Sequence, residues 1–139
     1  MGEREPVMAI GPHGDVTERI LGCAFLVQNT LGSGFLEKVY ENAMIVAMRR
    51  EGLDVRQQVP LQVHFLDELV GDFFADILVD GAVVVEIKAT EQNPPIYAAQ
   101  VLNYLKATGL PVGLLLNFGR PKLYYRRLHL RCADAKDTD

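Results

Sequence analysis

The chain has 139 residues, 49% of them hydrophobic, and a formal net charge of −4 at pH 7. This length is near the usual size of one domain and the apolar content fills one core, so we expect a single domain over residues 1–139, ordered from about 15 to 130. The sequence has no uncharged apolar run of about 18 residues and no signal-peptide layout, which predicts a soluble, cytoplasmic protein with no membrane partner. Two cysteines without CxxC spacing exclude a disulfide framework.

The acidic balance argues against a protein that coats nucleic acid, but the charge is unevenly placed. Residues 37–91 hold eleven acids and five bases, whereas residues 92–133 hold no acid and six bases. The basic stretch is consistent with a nucleic-acid-binding surface or with an ordinary solvated strand. The candidate nucleic-acid-binding residues are Arg120, Lys122, Arg126, Arg127 and Arg131.

Two helices are predicted at the start of the chain. The spacing of Asp15 and Glu18 is that of a capping box, and apolar residues then recur every three to four positions until Gly32. A second helix is predicted from about 35 to 51, with Gly52 at its end.

Strands are predicted next. Residues 53–59 read as a strand ended by Pro60, and residues 61–66 alternate up to a turn. Two β-rich runs, 73–79 and 82–89, flank Asp80-Gly81, which is the strongest hairpin signal in the chain.

A third helix and two strands complete the order. Pro94-Pro95 predicts a helix start, Thr108 and Gly109 predict its end, and strands are predicted at 112–118 and 123–130. The resulting order, α-α-β-β-β-β-α-β-β, predicts an α/β sandwich in which helices cover a mixed sheet. A doubly wound nucleotide fold is excluded because helices and strands do not alternate and no Gly-rich phosphate loop is present.

Charged residues in the apolar hairpin are the main functional signal. Glu86 and Lys88 lie two apart on one strand and therefore share a face. Whether Asp76 joins them depends on the turn, because a two-residue loop would set Asp76 opposite Val85. A three-residue loop, with Gly81 or its neighbour left-handed, would instead set Asp76 beside Glu86.

In that register, the opposite face of the hairpin would be apolar. It would hold Ala75, Ile77, Val79, Val83, Val85 and Ile87.

Buried carboxylates need a partner, and a divalent cation would supply it. Asp76, Glu86 and the main-chain carbonyl of Ile87 would form an oxygen-only set suited to Mg²⁺ or Mn²⁺, with Lys88 orienting a water. The structural alternative is an internal ion pair between Lys88 and one of the carboxylates.

Two helices add polar pairs to this pattern. Glu37 and Tyr40 share a face of the second helix, and Gln100 and Tyr104 share a face of the third. The alternatives are half-buried core for the tyrosines and a surface amide for Gln100.

These residues together resemble the GxxExxY family, a branch of the PD-(D/E)xK nuclease-like superfamily. The resemblance covers roughly residues 15–130 and implies a restriction-endonuclease-like αβββαβ core. Its motifs stand as Gly34, Glu37 and Tyr40, Gln58-Val59-Pro60, Ala75-Asp76, Val85-Glu86-Ile87-Lys88-Ala89, Ala99-Gln100 with Tyr104-Leu105, and Leu116-Asn117-Phe118-Gly119.

The resemblance also implies roles. Asp76 and Glu86 would bind the metal, Lys88 would serve the attacking water, and Glu37 would complete or buffer the metal site. Gln100 and Tyr104 would match a supporting Gln-x-x-x-Tyr element. The sequence departs from the family pattern at Gln28, where relatives often have histidine, and at Phe74, where many have arginine. Ala75 replaces the nominal proline of the superfamily.

The expected function is a Mg²⁺-dependent nuclease that acts on DNA or RNA, with pairing into a homodimer as an open expectation. The alternatives are a non-catalytic nucleic-acid-binding module and a protein-interaction module that keep the nuclease fold. The sequence does not distinguish DNA from RNA or internal from terminal cutting.

Overall fold

The computed structural model describes residue 11 and residues 13–130. Within this part of the chain no helix is long and apolar enough to cross a membrane. The elements are α1 (Gly14–Leu31), α2 (Glu37–Arg50), β1 (Val55–Phe65), β2 (Glu68–Val79), β3 (Val83–Lys88), α3 (Pro95–Thr108), β4 (Val112–Asn117) and β5 (Tyr124–Leu128).

The five strands form one sheet in the order β1-β2-β3-β4-β5. β3 and β4 are parallel and joined through α3, whereas the other neighbours are antiparallel. The predicted α/β class, a mixed sheet flanked by helices, is confirmed. β3 and β4 are almost wholly buried, which explains why their sequences read as continuous apolar runs.

Helices cover both faces of the sheet. Val83, Val85 and Ile87 of β3 pack in one cluster with residues of α1 and α2. Val84, between them in sequence, packs instead with Leu105 of α3. Because neighbouring strand residues point to opposite faces, Glu86 and Lys88 lie on the α3 side with Val84.

The β2–β3 turn has the three-residue loop that the shared site required. Val79 pairs with Val83 and Ile77 with Val85, which leaves residues 80–82 in the loop. Asp80 (φ 52) and Gly81 (φ 66) are both left-handed, and the Ala82 amide donates to the Val79 carbonyl at 3.0 Å. The predicted loop length and conformation are confirmed.

The predicted strand end at Pro60 and the predicted capping box were wrong. β1 runs continuously through Pro60 instead of ending there. β1 is an edge strand of the described sheet, with a neighbouring strand on one side only. Proline is tolerated in edge strands because an N–H that faces away from the sheet has no strand to bond. The predicted capping box at the start of α1 is also not formed. The N-cap is His13 (φ 57), whose side chain makes no capping hydrogen bond, and Asp15 lies in the first turn of the helix.

Along β1 and β2, the side chains of alternate residues change from one face of the sheet to the other near Gln58 and Asp76. Val55 and Ile77 pack in the cluster under α1 and α2, but Leu61 and Ala75 pack in the cluster with α3. These positions have the same parity on their strands, so the period of two is broken between them. The expectation that Ala75 shares a face with Ile77 is therefore wrong.

Gly113 on β4 allows α3 to lie close to the sheet. A Cβ added at Gly113 would lie 2.3 Å from Cγ1 of Val101 on α3. Only glycine fits at that separation without a shift of the helix or of the Val101 side chain.

Candidate active site

The candidate site lies where β2 and β3 separate. Regular pairing between them ends at Ile77 and Val85. One residue further, Oδ2 of Asp76 accepts a hydrogen bond of 2.8 Å from the Ile87 amide. The carboxylate therefore takes the place of a ladder carbonyl, which fixes Asp76 against β3 next to Glu86.

Glu86 is buried, with 6% of its surface exposed. Its Oε2 lies 3.6 Å from Nζ of Lys88, and its Oε1 has no hydrogen-bond partner among the described residues. Burial, and then the negative charge of Asp76, raise the pKa of Glu86 to about 8 despite the opposing effect of Lys88. A buried acceptor without a partner is costly, so this oxygen fits a site that receives a ligand.

Lys88 is held on the α3 side of the sheet. Its Nζ lies 3.4 Å from Oε1 of Gln100 and 4.4 Å from the centre of the Tyr97 ring. This contact brings Gln100 next to Lys88, and the supporting role of Gln100 stays a prediction. Tyr97 was not identified from the sequence, although it precedes Gln100 by three residues and so lies on the same helix face.

Asp76 and Glu37 also have raised pKa values. Burial is the largest cause for Asp76, which the Ile87 amide partly offsets. For Glu37, partial removal from water is the largest cause and the charge of Asp76 is the next. The start of α2 therefore brings a third carboxylate into the electrostatic field of the strand residues.

Glu41 and Gln58 belong to the same group of side chains but had no predicted role. Glu41 is only 2% exposed and accepts hydrogen bonds from Gln57 (2.7 Å), Gln58 (2.9 Å) and Lys38 (3.0 Å). The spacing Glu37 to Glu41, four residues on one helix, is the signal that could have identified it.

Tyr40 and Tyr104, the two tyrosines singled out from the sequence, have different surroundings. Tyr40 is fully buried, stacks on Phe118 at 4.8 Å, and its hydroxyl donates to the Gly32 carbonyl and accepts from the Phe35 amide. These contacts support the loop between α1 and α2. Tyr104 stacks on Phe73 at 4.7 Å.

The electrostatics of Tyr104 connect it to the carboxylates. Burial, followed by the charges of Glu86 and Asp76, raises the pKa of Tyr104 to about 12. At neutral pH the hydroxyl is protonated, as for an ordinary tyrosine, and can donate a hydrogen bond.

A cleft adjoins the site between α3 and the β1–β2 ribbon. Its volume is about 860 Å³, which is in the range of ligand-binding clefts. Gln100 and Tyr104 line it, and Gln100 also contacts Lys88. Its other lining residues include Gln62, His64, Phe73, Asn103 and Lys106.

The predicted nucleic-acid-binding bases do not share one face. Arg120 and Lys122 are exposed in the β4–β5 connection, while Arg126 and Arg127 are successive residues of β5 and point to opposite sides of the sheet. Arg131 lies outside the described residues.

The three departures from the family pattern are structurally explained only in part. Nε2 of Gln28 donates to the carbonyls of Arg120 (2.8 Å) and Pro121 (3.3 Å), so it supports the β4–β5 connection. Ala75 is buried, and Phe74 is 59% exposed. Nothing in the structure explains an aromatic side chain at position 74.

The donors suit a hard divalent cation. Three carboxylates with raised pKa values offer the oxygen ligands that such a cation prefers: Asp76, Glu86 and Glu37. Oε1 of Glu86 lacks a hydrogen-bond partner among the described residues. Among residues 13–130, no three acidic, histidine or cysteine side chains are arranged to hold a metal by themselves. A cation would therefore also need main-chain or water oxygens, and the Ile87 carbonyl stays a prediction.

The chain is similar to a protein family and to solved structures. A family model described as the PD-(D/E)XK nuclease superfamily matches residues 14–128. The crystal structure of SSO0001 is similar in fold, with a TM-score of 0.55 and 13% sequence identity over 90% of this chain. The present chain covers 60% of the SSO0001 chain. No curated protein matches.

Proposed function

This chain belongs to the PD-(D/E)XK nuclease superfamily, and from that premise we propose that it is a Mg²⁺-dependent nuclease that hydrolyses phosphodiester bonds of DNA or RNA. The observation that carries the proposal is Glu86, a buried carboxylate between Asp76 and Lys88 with one oxygen lacking a partner among the described residues.

Asp76 and Glu86 are the proposed metal ligands, together with the Ile87 carbonyl, and Glu37 completes the set from α2. When bound, Mg²⁺ or Mn²⁺ would polarise a phosphoryl oxygen and activate a water. Burial and mutual repulsion destabilise the charged carboxylates, which is why all three pKa values are raised. A bound cation would offset both effects, and this favours its binding.

Lys88 has two proposed tasks. Its ammonium orients the attacking water and stabilises the negative charge that develops on the phosphoryl group. Gln100 and Tyr97 hold the ammonium in place from α3, within 3.4 Å and 4.4 Å respectively. Binding of a cation by Glu86 would weaken the Lys88–Glu86 contact and leave Nζ available to the substrate.

Cleavage of labelled DNA and RNA with and without Mg²⁺ tests the activity. We expect cleavage by the unaltered protein that EDTA abolishes, and a loss of at least about 100-fold in Lys88→Ala and Asp76→Asn. Arg50→Ala, which removes an exposed cation at the far end of α2, is the matched control and should cut normally.

Equal activity in the unaltered protein, Lys88→Ala and Asp76→Asn would contradict the proposal. Magnesium titration by calorimetry separates the alternatives, because a non-catalytic binding module would hold nucleic acid in a salt-sensitive way without taking up the metal.

We further propose that two copies of the chain pair to cut two strands. Light scattering, which measures the mass of the protein in solution, tests this proposal.

A further inference from the structure

Gln58 has a backbone conformation that its side chain does not favour. Its φ is 54, in the left-handed region where glycine and asparagine are usual. It lies in the middle of β1, at the position where β1 and β2 exchange faces. Such conformations persist where the surroundings impose them, and they concentrate at functional sites.

The Gln58 amide joins two carboxylates. Its Nε2 donates to Oε2 of Glu41 at 2.9 Å and lies 3.4 Å from Oδ1 of Asp76. Since Oδ2 of Asp76 already accepts from the Ile87 amide, both carboxylate oxygens are held, one from each neighbouring strand.

Glu41 determines which way that amide faces. It is 2% exposed, and it also binds Gln57 and Lys38. A buried carboxylate accepts hydrogen bonds and donates none, so it selects the NH₂ group of Gln58 and keeps the amide oxygen away from Asp76.

We propose that Gln58, oriented by Glu41, is a positioning residue that fixes the Asp76 carboxylate for metal binding, and that the left-handed backbone is what aims its amide there. This inference rests on the proposed function. A competing explanation is that the left-handed backbone at position 58 only allows the side chains of β1 and β2 to change from one face of the sheet to the other.

Gln58→Gly separates these explanations because it relaxes the backbone and removes the amide together. We expect a melting temperature equal to or above that of the unaltered protein, together with faster hydrogen exchange of the Ile87 amide in metal-free protein. Asp76→Ala gives the upper limit of that exchange effect.

Two functional readouts accompany the exchange measurement. We expect magnesium affinity to fall by about 10-fold or more, as for other residues that orient metal ligands. We also expect kcat to fall while KM for the oligonucleotide is unchanged. Gln57→Ala is the matched control, since it removes an amide that binds Glu41 but not Asp76.

Unchanged Ile87 exchange in Gln58→Gly would overturn the inference, whether or not the protein cuts nucleic acid. Faster exchange in Gln58→Gly, with no metal-dependent cleavage by the unaltered protein, would support the positioning role and contradict the proposed function alone.

Discussion

At Glu86, the penalty for burying a carboxylate is visible in its acid–base equilibrium. Its pKa is raised from 4.5 to about 8. Between these two pH values, the folded protein keeps a proton on Glu86 that the unfolded chain releases. A raised pKa favours folding below the unfolded value and loses that contribution as pH rises through the folded value. The metal-free protein should therefore lose stability between about pH 4.5 and 8.

Thermal unfolding in EDTA tests this expectation. We expect the free energy of unfolding to fall by up to about 1.4 kcal/mol per pH unit across that window, and Glu86→Gln to flatten the slope. Magnesium should restore stability at pH 8, since it replaces the proton as the compensating positive charge. A slope that Glu86→Gln leaves intact would assign the effect to other groups.

Tyr40 carries a different expectation, because its hydroxyl binds main-chain atoms of the α1–α2 loop. Tyr40→Phe should cost about 1–2 kcal/mol of stability by leaving the Gly32 carbonyl and the Phe35 amide without this partner. Urea unfolding measures the cost, and cleavage should be retained below the melting temperature. Loss of cleavage at full stability would instead place Tyr40 in the chemistry.

Residue type made part of this site predictable. Asp76, Glu86 and Lys88 are conspicuous because charge is unusual in an apolar hairpin. Glu41 and Gln58 were not assigned roles because their meaning depends on α2 lying over the β1–β2 ribbon, which no local pattern encodes.

At the scale of elements, the β2–β3 turn determines the register of the site. Its left-handed Gly81 (φ 66) has open space where a Cβ would be, so any cost of a side chain is conformational. We expect Gly81→Ala to lose about 1–2 kcal/mol, measured by urea unfolding. Gly71→Ala is the control, because that glycine also has open space but no positive φ, and it should be neutral or slightly stabilising. Equal effects of the two changes would contradict the argument.

The helices were predicted closely, whereas β1 was divided at Pro60. Turn and cap residues act locally, so Gly109 (φ 75) could mark the end of α3 from sequence alone. Whether a proline ends a strand depends on whether that strand lies at the sheet edge, and edge position is a property of the assembled sheet.

At the scale of the whole molecule, the basic residues of β5 should contribute unequally to substrate binding. The strand neighbours of Arg126, namely Tyr124 and Leu128, pack in a cluster with residues of α3, the side on which Lys88 lies. Arg127 points to the other side, where Tyr125 packs against Phe25 of α1.

We therefore expect Arg126→Ala to weaken nucleic-acid binding and to lower the salt dependence of log K by about one unit. Arg127→Ala should have little effect on either. Fluorescence anisotropy across a sodium chloride series, in EDTA to prevent cleavage, measures both. Equal losses from the two changes would show that the substrate contacts both faces.

Gly113 connects the hydrophobic core to the dimensions of the cleft. A methyl group at this position would lie 2.3 Å from Cγ1 of Val101, so either that side chain or α3 would have to shift. Gln100 and Tyr104, on the same helix, form one wall of the cleft. A shift of α3 would change the width of that cleft, so the absence of a side chain at a core position bears on a distant surface feature.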